Sequence, residues 1–574
     1  MNILHCVQQG HELVALVNLH PKPCGSEEID SYMFQTVGSR AIENLAECLD
    51  KPLYRDIISD NEEDVVETLV GIFSRVISDF PDIKAVSVGA IGSVYQQLRV
   101  DTACQRVGLE SLTFLWQRDQ IELLDEIIAS GLDARIIKVA GIGLDESHLG
   151  KSLAECRPHL LKLNKMYGLH PCGEGGEYET MVFDGPIFKK SLVMMNSRVV
   201  EHASDDVFYL SFHTMTQPKE GNTMDFCLPV PPVLSDPFDS IDAQVSEPVH
   251  INPRRWCVTP WQAEKISNDT FQLTVAGDIE HVFAVLESFY AEHEFTLAHT
   301  RHVSVILSDM QQFASMNKRY VQYFNILNPP SRLCIEVPIQ FEAEITVFGS
   351  KLLDGSSKCL HVQGRSFWAP ANIGPYSQAR LDFGLNYVAG QIGLLPASLT
   401  LESDLVKQAL LALQNAYRVV STIHGGGNWD ILSATVFITN QAYHSLVQEI
   451  WQQTEFASVP LLVAEVCQLP RGAVVEWALQ TFDTNLFEYQ STIDENDDFV
   501  WPARRKNVAE GFELQFGLYT FRQAPTARAP ASSKYATIYT KNPGSLPDFQ
   551  GQVIPVLNLW ISRLPRDTVV QSLA

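Results

Sequence analysis

Residues 85–99 read AVSVGAIGSVYQQLR, and they join a segment typical of a strand to one typical of a helix. The β-branched segment over residues 85–91 predicts a strand, and Ser93 is a suitable N-cap for the helix that follows. In α/β sheets, ligands bind where a strand ends and a helix begins. Arg99 and Arg106 are seven residues apart, so they share a helix face and are placed to clamp phosphate or carboxylate. A solvated basic face fits the spacing equally well.

On both sides of this stretch, segments typical of strands and helices alternate along the N-terminal third of the chain. Strands are predicted over residues 13–19, buried on both faces, and over residues 134–139. Helices are predicted over residues 1–9, 65–80 and 120–130. This alternation predicts an α/β domain with a mainly parallel sheet. Because the chain begins with a helix, we expect the strand and loop that usually open such a sheet to be missing.

The composition indicates a folded protein of several domains. The 574 residues are 45% apolar, and 42 basic against 68 acidic side chains give a formal net charge of −26. This acidity argues against binding to nucleic acid or to an anionic membrane, since both need basic surface. No segment approaches the roughly 20 apolar residues that span a bilayer, and no signal peptide is present. The eleven cysteines are scattered without a CxxC pair, so we expect a cytoplasmic protein without a zinc cluster.

The strongest local feature is the sequence HPCGEGGEYET over residues 170–180. Its carboxylates repel one another unless a cation, a metal ion or a basic group faces them. The glycines allow close approach of a ligand, and a tyrosine offers a cation–π face. A glycine-rich turn with solvated glutamates is the alternative, and composition alone favours it. The residues concerned are Glu174, Gly175, Gly176, Glu177, Tyr178 and Glu179.

A third candidate segment is DSYMFQTVG over residues 30–38. Asp30 or Ser31 is a suitable N-cap, and Gln35 and Thr36 are available to contact a base or a ribose. A plain capped helix is favoured in the absence of other information. No Walker A sequence, HExxH or GxSxG motif occurs.

Considered together, these segments resemble the diphthine–ammonia ligase family, and the resemblance covers about residues 1–200. The motifs that carry it are residues 30–38, 89–99 (GAIGSVYQQLR), 115–120 (LWQRDQ), 137–140 (IKVA) and 173–180 (GEGGEYET). The family has the adenine-nucleotide α-hydrolase fold, also called the N-type ATP pyrophosphatase fold. The resemblance implies an enzyme, an ATP-dependent carboxylate–amine ligase.

In this family, ATP adenylates the carboxylate of diphthine, the modified histidine of translation elongation factor 2. Ammonium then supplies the nitrogen of diphthamide, and AMP and pyrophosphate are released. Mg²⁺ is expected with ATP. The resemblance implies catalytic roles for Glu174, Glu177 and Glu179, and a substrate-binding role for Gly175, Gly176 and Tyr178. It implies that the nucleotide is bound by Ser31, Gln35, Thr36, Gly89, Ser93, Tyr95, Arg99 and Arg106.

Two departures from the family pattern stand out. The family begins with a strand and a phosphate loop of the form SGGKDS, which occurs nowhere in this sequence. Without this loop, the backbone N–H groups and the lysine that would bind pyrophosphate are absent. Either the native protein starts upstream, which we favour because the later motifs are intact, or the chain is an inactive binding module. In addition, Gln97 stands where the family usually has arginine.

The C-terminal half contains a weak repeat, since residues 302–307 (HVSVIL) resemble residues 433–438 (SATVFI). Each is followed by a helical stretch, a proline and a strand, which suggests two copies of one α+β domain. The repeats resemble the reactive-intermediate deaminase (RidA/YjgF-like) family, whose domains pack as chorismate-mutase-like trimers. Residues 373–380 (IGPYSQAR) and 390–393 (GQIG) carry this resemblance.

In that family an arginine binds the carboxylate of the substrate at a subunit interface. The first copy has this arginine, Arg332, but lacks the opening motif; the second has the opening motif, with Tyr376 and Gln391, but no arginine at residues 460–462. Each copy therefore keeps half a site. A composite site pairing Arg332 with Tyr376 and imine deaminase activity are open alternatives to the favoured scaffolding role, which includes oligomerisation through these domains.

These patterns predict five regions. They are a ligase domain over residues 1–215, a proline-rich linker over 216–254, RidA-like domains over 255–350 and 351–485, and an extension of unknown role over 486–574.

Overall fold

The computed structural model describes most of the chain, and the described residues form two compact units. Unit 1 comprises Met1–Pro231 and Gln363–Trp368, and unit 2 comprises Pro232–Val362 and Ala369–Ala574. The described ranges are residues 1–20, 37–57, 62–201, 207–219, 226–245, 263–266, 270–351, 357–382, 384–459 and 461–485, with the short strands given below for the region after residue 486.

Unit 1 is an α/β structure. Its helices are Asn2–Gln8, Ile42–Leu49, Glu62–Asp79, Val94–Val107, Gln120–Ala129 and Leu153–Tyr167, with 3-10 turns Ser39–Ala41 and Glu146–His148. Two parallel pairs join Leu16–His20 to Leu53–Ile57, and Ala85–Ser87 to Glu110–Leu112. A four-stranded antiparallel sheet has the order Tyr178–Val182, Ala134–Val139, Phe208–Pro218, Lys190–Glu201.

Two details differ from the sequence-based expectation. The strand Ala134–Val139 was expected in a parallel sheet, but both of its neighbours run antiparallel to it. One of them, Phe208–Pro218, pairs antiparallel with the long strand Lys190–Glu201 that precedes it. The strand Leu16–His20 is not buried on both faces, since Val17 is 38% exposed. Within the part of the chain that the structure describes, its strand partner is Leu53–Ile57, in a two-stranded sheet.

The helix Val94–Val107 begins and ends where its sequence predicts. The Ser93 hydroxyl accepts a hydrogen bond from the Gln96 N–H at 3.3 Å, which satisfies one of the free N–H groups of the first turn. At the other end Gly108 adopts a left-handed conformation with φ of 77°, which glycine enters without steric cost. The helix therefore starts at the end of the strand Ala85–Ser87, and this junction builds the site described below.

Unit 2 contains the repeat that the sequence predicts. The first sheet has the order Ser331–Glu336, Thr300–Leu307, Ala343–Ser350, Thr270–Gly277, Ala263–Ile266. The second sheet includes, in matching order, Leu461–Glu465, Trp429–Ile438, Val475–Asp483, Leu385–Val388, Ala379–Asp382. In both, the first pair is parallel and the following pairs are antiparallel. The helices are Phe238–Asp242, Ile279–Glu292, Phe313–Phe324, Leu405–His424 and Tyr443–Gln452, and short strands are Lys358–Leu360 and Gln391–Ile392.

A third sheet, which the sequence analysis left without an account, repeats the same plan. Its order is Gln552–Pro555, Tyr535–Thr540, Thr568–Leu573, Gln515–Phe521, Phe499–Arg505, continued by Phe487–Tyr489. The first pair is again parallel and the next three are antiparallel. Thr492–Ile493 pairs with its edge, while Asn558–Ile561 and Leu564–Pro565 extend the second sheet. The chain after residue 486 thus has the strand topology of a third copy. The exact domain boundaries remain a proposal.

Candidate functional site

The candidate ligase site lies in unit 1, where the parallel strands Ala85–Ser87 and Glu110–Leu112 end. Since parallel strands end at the same edge of a sheet, the segments that follow them lie side by side. The Asn2 amide joins the two strand ends, donating to Ser87 Oγ at 2.8 Å and to the Leu112 carbonyl at 2.7 Å. The sequence predicts a ligand-binding site at this edge.

Glu174 binds the start of the helix Val94–Val107. Its Oε1 atom accepts hydrogen bonds from the backbone N–H groups of Ile91, Gly92 and Ser93, each at 3.0 Å. Converging N–H groups at a helix start form an anion-binding cradle, and the helix dipole favours negative charge there. The carboxylate thereby fastens the glycine loop, residues 170–177, to the edge of the sheet.

Glu177 folds back onto its own loop. Its Oε1 accepts from the His170 N–H at 2.9 Å, and its main-chain carbonyl accepts from the N–H groups of Ala140 and Gly141 at 2.8 Å each. A Cβ atom at position 141 would lie 2.7 Å from the Glu177 Cβ, so only glycine fits there. Its Oε2 is buried and has no hydrogen-bond partner among the described residues.

The other members of the predicted set are arranged separately. Glu179 forms an ion pair with Lys138, whose Nζ lies 3.3 Å from Oε1. Gly175 and Gly176 are exposed, and Gly176 has a left-handed φ of +83°. Burial lowers the pKa of His170, against the opposing effect of Glu177 and Glu174. The three glutamates therefore face three different partners and not one shared cation.

The predicted cation–π face of Tyr178 is wrong. The side chain is buried at 3% exposure, and its hydroxyl donates to the Pro171 carbonyl at 2.5 Å. Burial raises the pKa of the phenol. An aromatic ring enclosed in the core cannot receive a ligand. Tyr178 instead stabilises the glycine loop through the hydrogen bond from its hydroxyl to Pro171.

The predicted nucleotide-binding residues have different outcomes. Ser31, Gln35 and Thr36 lie outside the described residues. Gly89 precedes the cradle residues in the chain and is exposed to solvent. Ser93 caps the helix with its hydroxyl, and its backbone N–H donates to Glu174.

Arg99 lies in the second turn of the helix and contacts Tyr95. Its guanidinium carbon lies 3.3 Å from the centroid of the Tyr95 ring, and Nη1 donates to the Tyr95 carbonyl at 3.3 Å.

The predicted clamp of Arg99 with Arg106 is not formed. Arg106 donates from two nitrogens to the Glu67 carboxylate at 2.5 and 3.0 Å. Both side chains are exposed, and this pairing raises the pKa of Arg106 and lowers that of Glu67. At 1.5 Å per residue, Arg106 lies about 20 Å along the helix from Ser93. The two arginines share a helix face, but the helix rise separates their heads.

Residues 115–120 are one of the motifs that carry the family resemblance, and the structure shows a buried polar network at this segment. His5 Nε2 lies 2.5 Å from Glu126 Oε1, while Arg118 Nη2 donates to Glu126 Oε2 at 2.7 Å. Gln117 has a φ of 54°, unusual for this residue, and its N–H donates to the Ile91 carbonyl at 2.7 Å. The network therefore holds this segment against the cradle.

Two buried polar atoms at this edge lack partners among the described residues, the Asn2 Oδ1 acceptor and the Trp116 Nε1 donor. Buried polar groups are normally satisfied, so unsatisfied ones at a sheet edge indicate a place for a polar ligand. A donor and an acceptor left free beside the strand ends fit a polar ligand such as a nucleotide. Among the described residues, no group of three or more His, Cys, Asp or Glu is placed to hold a metal ion.

In unit 2 the two half-sites meet. Arg332, from the first repeat, is 4% exposed and donates from Nη1 to Asn317 Oδ1 at 2.7 Å. Its guanidinium carbon lies 4.8 Å from the ring centroid of Tyr376, which belongs to the second repeat. The rings of Tyr320 and Phe313 lie 4.9 and 5.7 Å from the same carbon. Stacking on aromatic rings favours a cation at this position.

A carboxyl group that the sequence analysis missed faces the same cavity. Glu476 is 2% exposed, and burial raises its pKa to about 8, although Arg332 lowers it. Its Oε2 is buried without a hydrogen-bond partner among the described residues. The cavity is also lined by Gln391 and Cys334. No motif marked Glu476, because it is the second residue of the strand Val475–Asp483 and nothing in the local sequence predicts that its carboxyl group faces a cavity.

Within the part of the chain that the structure describes, no helix combines the length and the apolar character needed to cross a membrane.

Family models match both halves of the chain. The diphthamide synthase N-terminal domain matches residues 1–111, and the diphthamide synthase C-terminal domain matches residues 119–211. The endoribonuclease L-PSP family matches residues 368–479.

Three curated relatives illustrate the similarity. A protein of Schizosaccharomyces pombe named diphthine–ammonia ligase is 40% identical over 84% of this chain and 86% of its own length. One of Saccharomyces cerevisiae with the same name is 32% identical over 89% and 86%. A goat (Capra hircus) 2-iminobutanoate/2-iminopropanoate deaminase is 36% identical over 19% of this chain and 80% of its own length.

Proposed function

The chain belongs to the diphthine–ammonia ligase family, and on this premise we propose that the edge of unit 1 around Glu174 carries out the ATP-dependent amidation of diphthine. This reaction is the last step of diphthamide biosynthesis, and the family implies that ATP is a substrate. Similarity to enzymes over most of the chain does not favour the alternative of an inactive binding module.

The contact of Glu174 with residues 91–93 is the observation that carries this proposal. It joins two motifs, 89–99 and 173–180, that lie far apart in the sequence. Adenylation requires the acceptor carboxylate to meet the nucleotide, so a loop that binds the acceptor must lie beside the strand ends that bind the nucleotide. We assign Glu174 to positioning the glycine loop. Arg99, six residues after Ser93 on the helix Val94–Val107, is the side chain that we assign to stabilising phosphate charge.

Several finer assignments are part of the proposal. The acceptor is diphthine on translation elongation factor 2, ammonium supplies the nitrogen, and Mg²⁺ accompanies ATP. The exposed Gly175 and Gly176 allow the substrate to approach the backbone. Glu177, whose buried Oε2 has no hydrogen-bond partner among the described residues, is the carboxylate that we assign to a cationic group. The scattered cysteines favour a cytoplasmic setting.

The purified protein with an SGGKDS phosphate loop restored ahead of residue 1, incubated with ATP, Mg²⁺, ammonium and elongation factor 2 carrying diphthine, is expected to release AMP and form diphthamide in equal amounts. Mass spectrometry of the modified peptide and chromatography of nucleotides measure the two products. Omission of ammonium should abolish diphthamide formation. AMP formation without amide, or no reaction at all, would contradict the proposal.

A second function is favoured by the composite cavity of unit 2. A buried guanidinium beside a carboxyl group that is largely neutral at pH 7 suits a small monocarboxylate. We propose that this cavity binds small 2-imino acids and hydrolyses them. Water adds to the C=N carbon, the C–N bond breaks, and the products are a 2-oxo acid and ammonia. Arg332 binds the carboxylate, and Glu476 positions water and transfers protons. Ammonia is also the nitrogen donor of the ligase reaction.

The affinity of the cavity for 2-oxobutanoate should fall about tenfold for each pH unit above the Glu476 pKa of about 8. Below this pH the neutral carboxyl group tolerates the ligand carboxylate. Above it the new negative charge repels the ligand and competes for Arg332, the cation that faces it in the cavity; Tyr376 and Cys334 also line it. Calorimetric titration across this range measures the effect. The Glu476→Gln variant should give a flat profile, and a flat wild-type profile would contradict the assignment.

A further inference from the structure

One edge strand of unit 1 is completed by a segment from far along the chain, Gln363–Trp368, which we call the strap. The Arg365 N–H donates to the Ser111 carbonyl at 2.9 Å, and the Arg365 carbonyl accepts from the Thr113 N–H at 2.8 Å. Leu112 and Arg365 form a parallel bridge. The strap thus adds to Glu110–Leu112 on the side away from Ala85–Ser87, in the manner of a strand-adding peptide.

The strap fits closely, and its side-chain requirements are specific. Gly364 is buried, and a Cβ atom there would lie 2.9 Å from Thr113 Oγ1. Ser111 and Thr113 are buried with the strap in place, so a strap that docked without these hydrogen bonds would leave their backbone groups unpaired away from water. The surface is therefore built for this backbone.

The strap also shields a buried charge. The Gln363 N–H donates to the Asp101 carboxylate at 3.4 Å, and Asp101 is 1% exposed on the helix Val94–Val107. Burial raises the Asp101 pKa to about 6, while hydrogen bonds from Ser111, Gln363, Gln97 and Gly364 lower it. A charge this deep needs such donors.

Contacts continue from the strap to the candidate site. The Phe367 ring packs on Phe114 and His5, with centroid separations of 5.0 and 5.5 Å. His5 belongs to the network with Glu126 and Arg118 described above. The Thr113 carbonyl accepts from the Trp116 N–H at 3.0 Å, which starts the turn whose Gln117 N–H reaches Ile91. Ile91 is the first residue of the cradle.

We propose that the strap is an intramolecular peptide ligand of unit 1, which holds the turn 113–117 and the cradle 91–93 in place for the ligase reaction. The proposal rests on the proposed function for its activity readout alone. The edge Glu110–Leu112 is therefore a peptide-docking surface whose occupant is this chain's own Gln363–Trp368.

The test uses the full chain with Gly364→Val, which places a branched side chain against Thr113, and Arg365→Pro, which removes the N–H bonded to Ser111. Residue-resolved hydrogen exchange should show about 100-fold faster exchange at Thr113, with faster exchange at Gln117 and at residues 91–93. Amidation should fall about tenfold or more. Amides of the helix Leu405–His424 should exchange as in the wild type, which shows that the rest of the chain is folded.

Gly71→Val is the matched control, because a Cβ atom at Gly71 has nothing within 4 Å. It should leave exchange and amidation unchanged. Phe367→Ala is a milder variant that keeps the strap backbone and should accelerate exchange at Gln117 more than at Thr113. Retained protection of Thr113 in both strap variants would overturn strand addition. Lost protection of Thr113 with wild-type protection of Gln117 and residues 91–93 would overturn the positioning role. A wild-type chain that fails to amidate would contradict the proposed function, while the exchange data would still decide this inference.

Discussion

Replacing Glu174 by alanine is expected to lower the rate of diphthine amidation by about 100-fold. The carboxylate is the acceptor for three backbone N–H groups, and its removal leaves them without a partner. Losing a hydrogen bond to a charged group costs about 3 kcal/mol, which corresponds to about two orders of magnitude in rate if the cradle must be ordered in the transition state. Steady-state kinetics with saturating ATP and ammonium measures the loss.

The Glu174→Gln variant separates positioning from acid–base chemistry. A glutamine side chain keeps a carbonyl oxygen that the three N–H groups can reach, so a positioning role predicts a loss of about tenfold or less. A proton-transfer role predicts that glutamine is as damaging as alanine, with loss of one limb of the pH–rate profile. Equal damage by both substitutions would overturn our assignment of Glu174.

The matched control is Arg106→Gln, which lies on the helix Val94–Val107 whose start is bound by Glu174. Arg106 pairs with Glu67 in an exposed ion pair, and such pairs contribute about 0–1 kcal/mol to stability. Because this pair lies about 20 Å along the helix from the cradle, we expect amidation to stay within about twofold of the wild type.

Replacing Arg332 by leucine is expected to weaken the binding of 2-oxobutanoate to unit 2 by about 30-fold or more. Loss of one partner of a buried, hydrogen-bonded charge pair costs about 2–5 kcal/mol. The guanidinium is 4% exposed, so water cannot replace it as a partner for the ligand carboxylate. Calorimetry measures the affinity, and release of ammonia from 2-iminobutanoate measures the hydrolysis.

Two comparisons make this prediction specific. Arg319→Gln changes an arginine on the helix Phe313–Phe324 that pairs with Glu280 outside the cavity lining, and should leave binding unchanged. In the presence of added ammonium, Arg332→Leu should amidate diphthine at the wild-type rate, because the ligase site needs no imine. Unchanged affinity for 2-oxobutanoate in Arg332→Leu would remove the composite cavity as a carboxylate site.

Features that depend on neighbouring residues were predicted correctly from the sequence, while two side-chain roles that depend on tertiary contacts were not. Ser93 as a helix cap and the repeat in unit 2 were predicted correctly, since caps and hydrophobic alternation are local signals. The family followed from five motifs whose order and spacing are more specific than any one of them. The cation–π role of Tyr178 and the Arg106 clamp were wrong, because a residue's type and spacing do not give its burial or the partner that its side chain finds in the fold.

The α/β and repeat architecture and the family could be predicted from the amino-acid sequence, because they depend on patterns that a few neighbouring residues or an ordered set of motifs carry. The folded structure was needed to show that Glu174 occupies the cradle, that Arg332 meets Tyr376 and Glu476, and that the strap completes the edge of unit 1. Each of these contacts joins residues far apart in the chain. Their energy comes from hydrogen bonds and burial that exist only after the intervening segments have folded, and no local pattern encodes that.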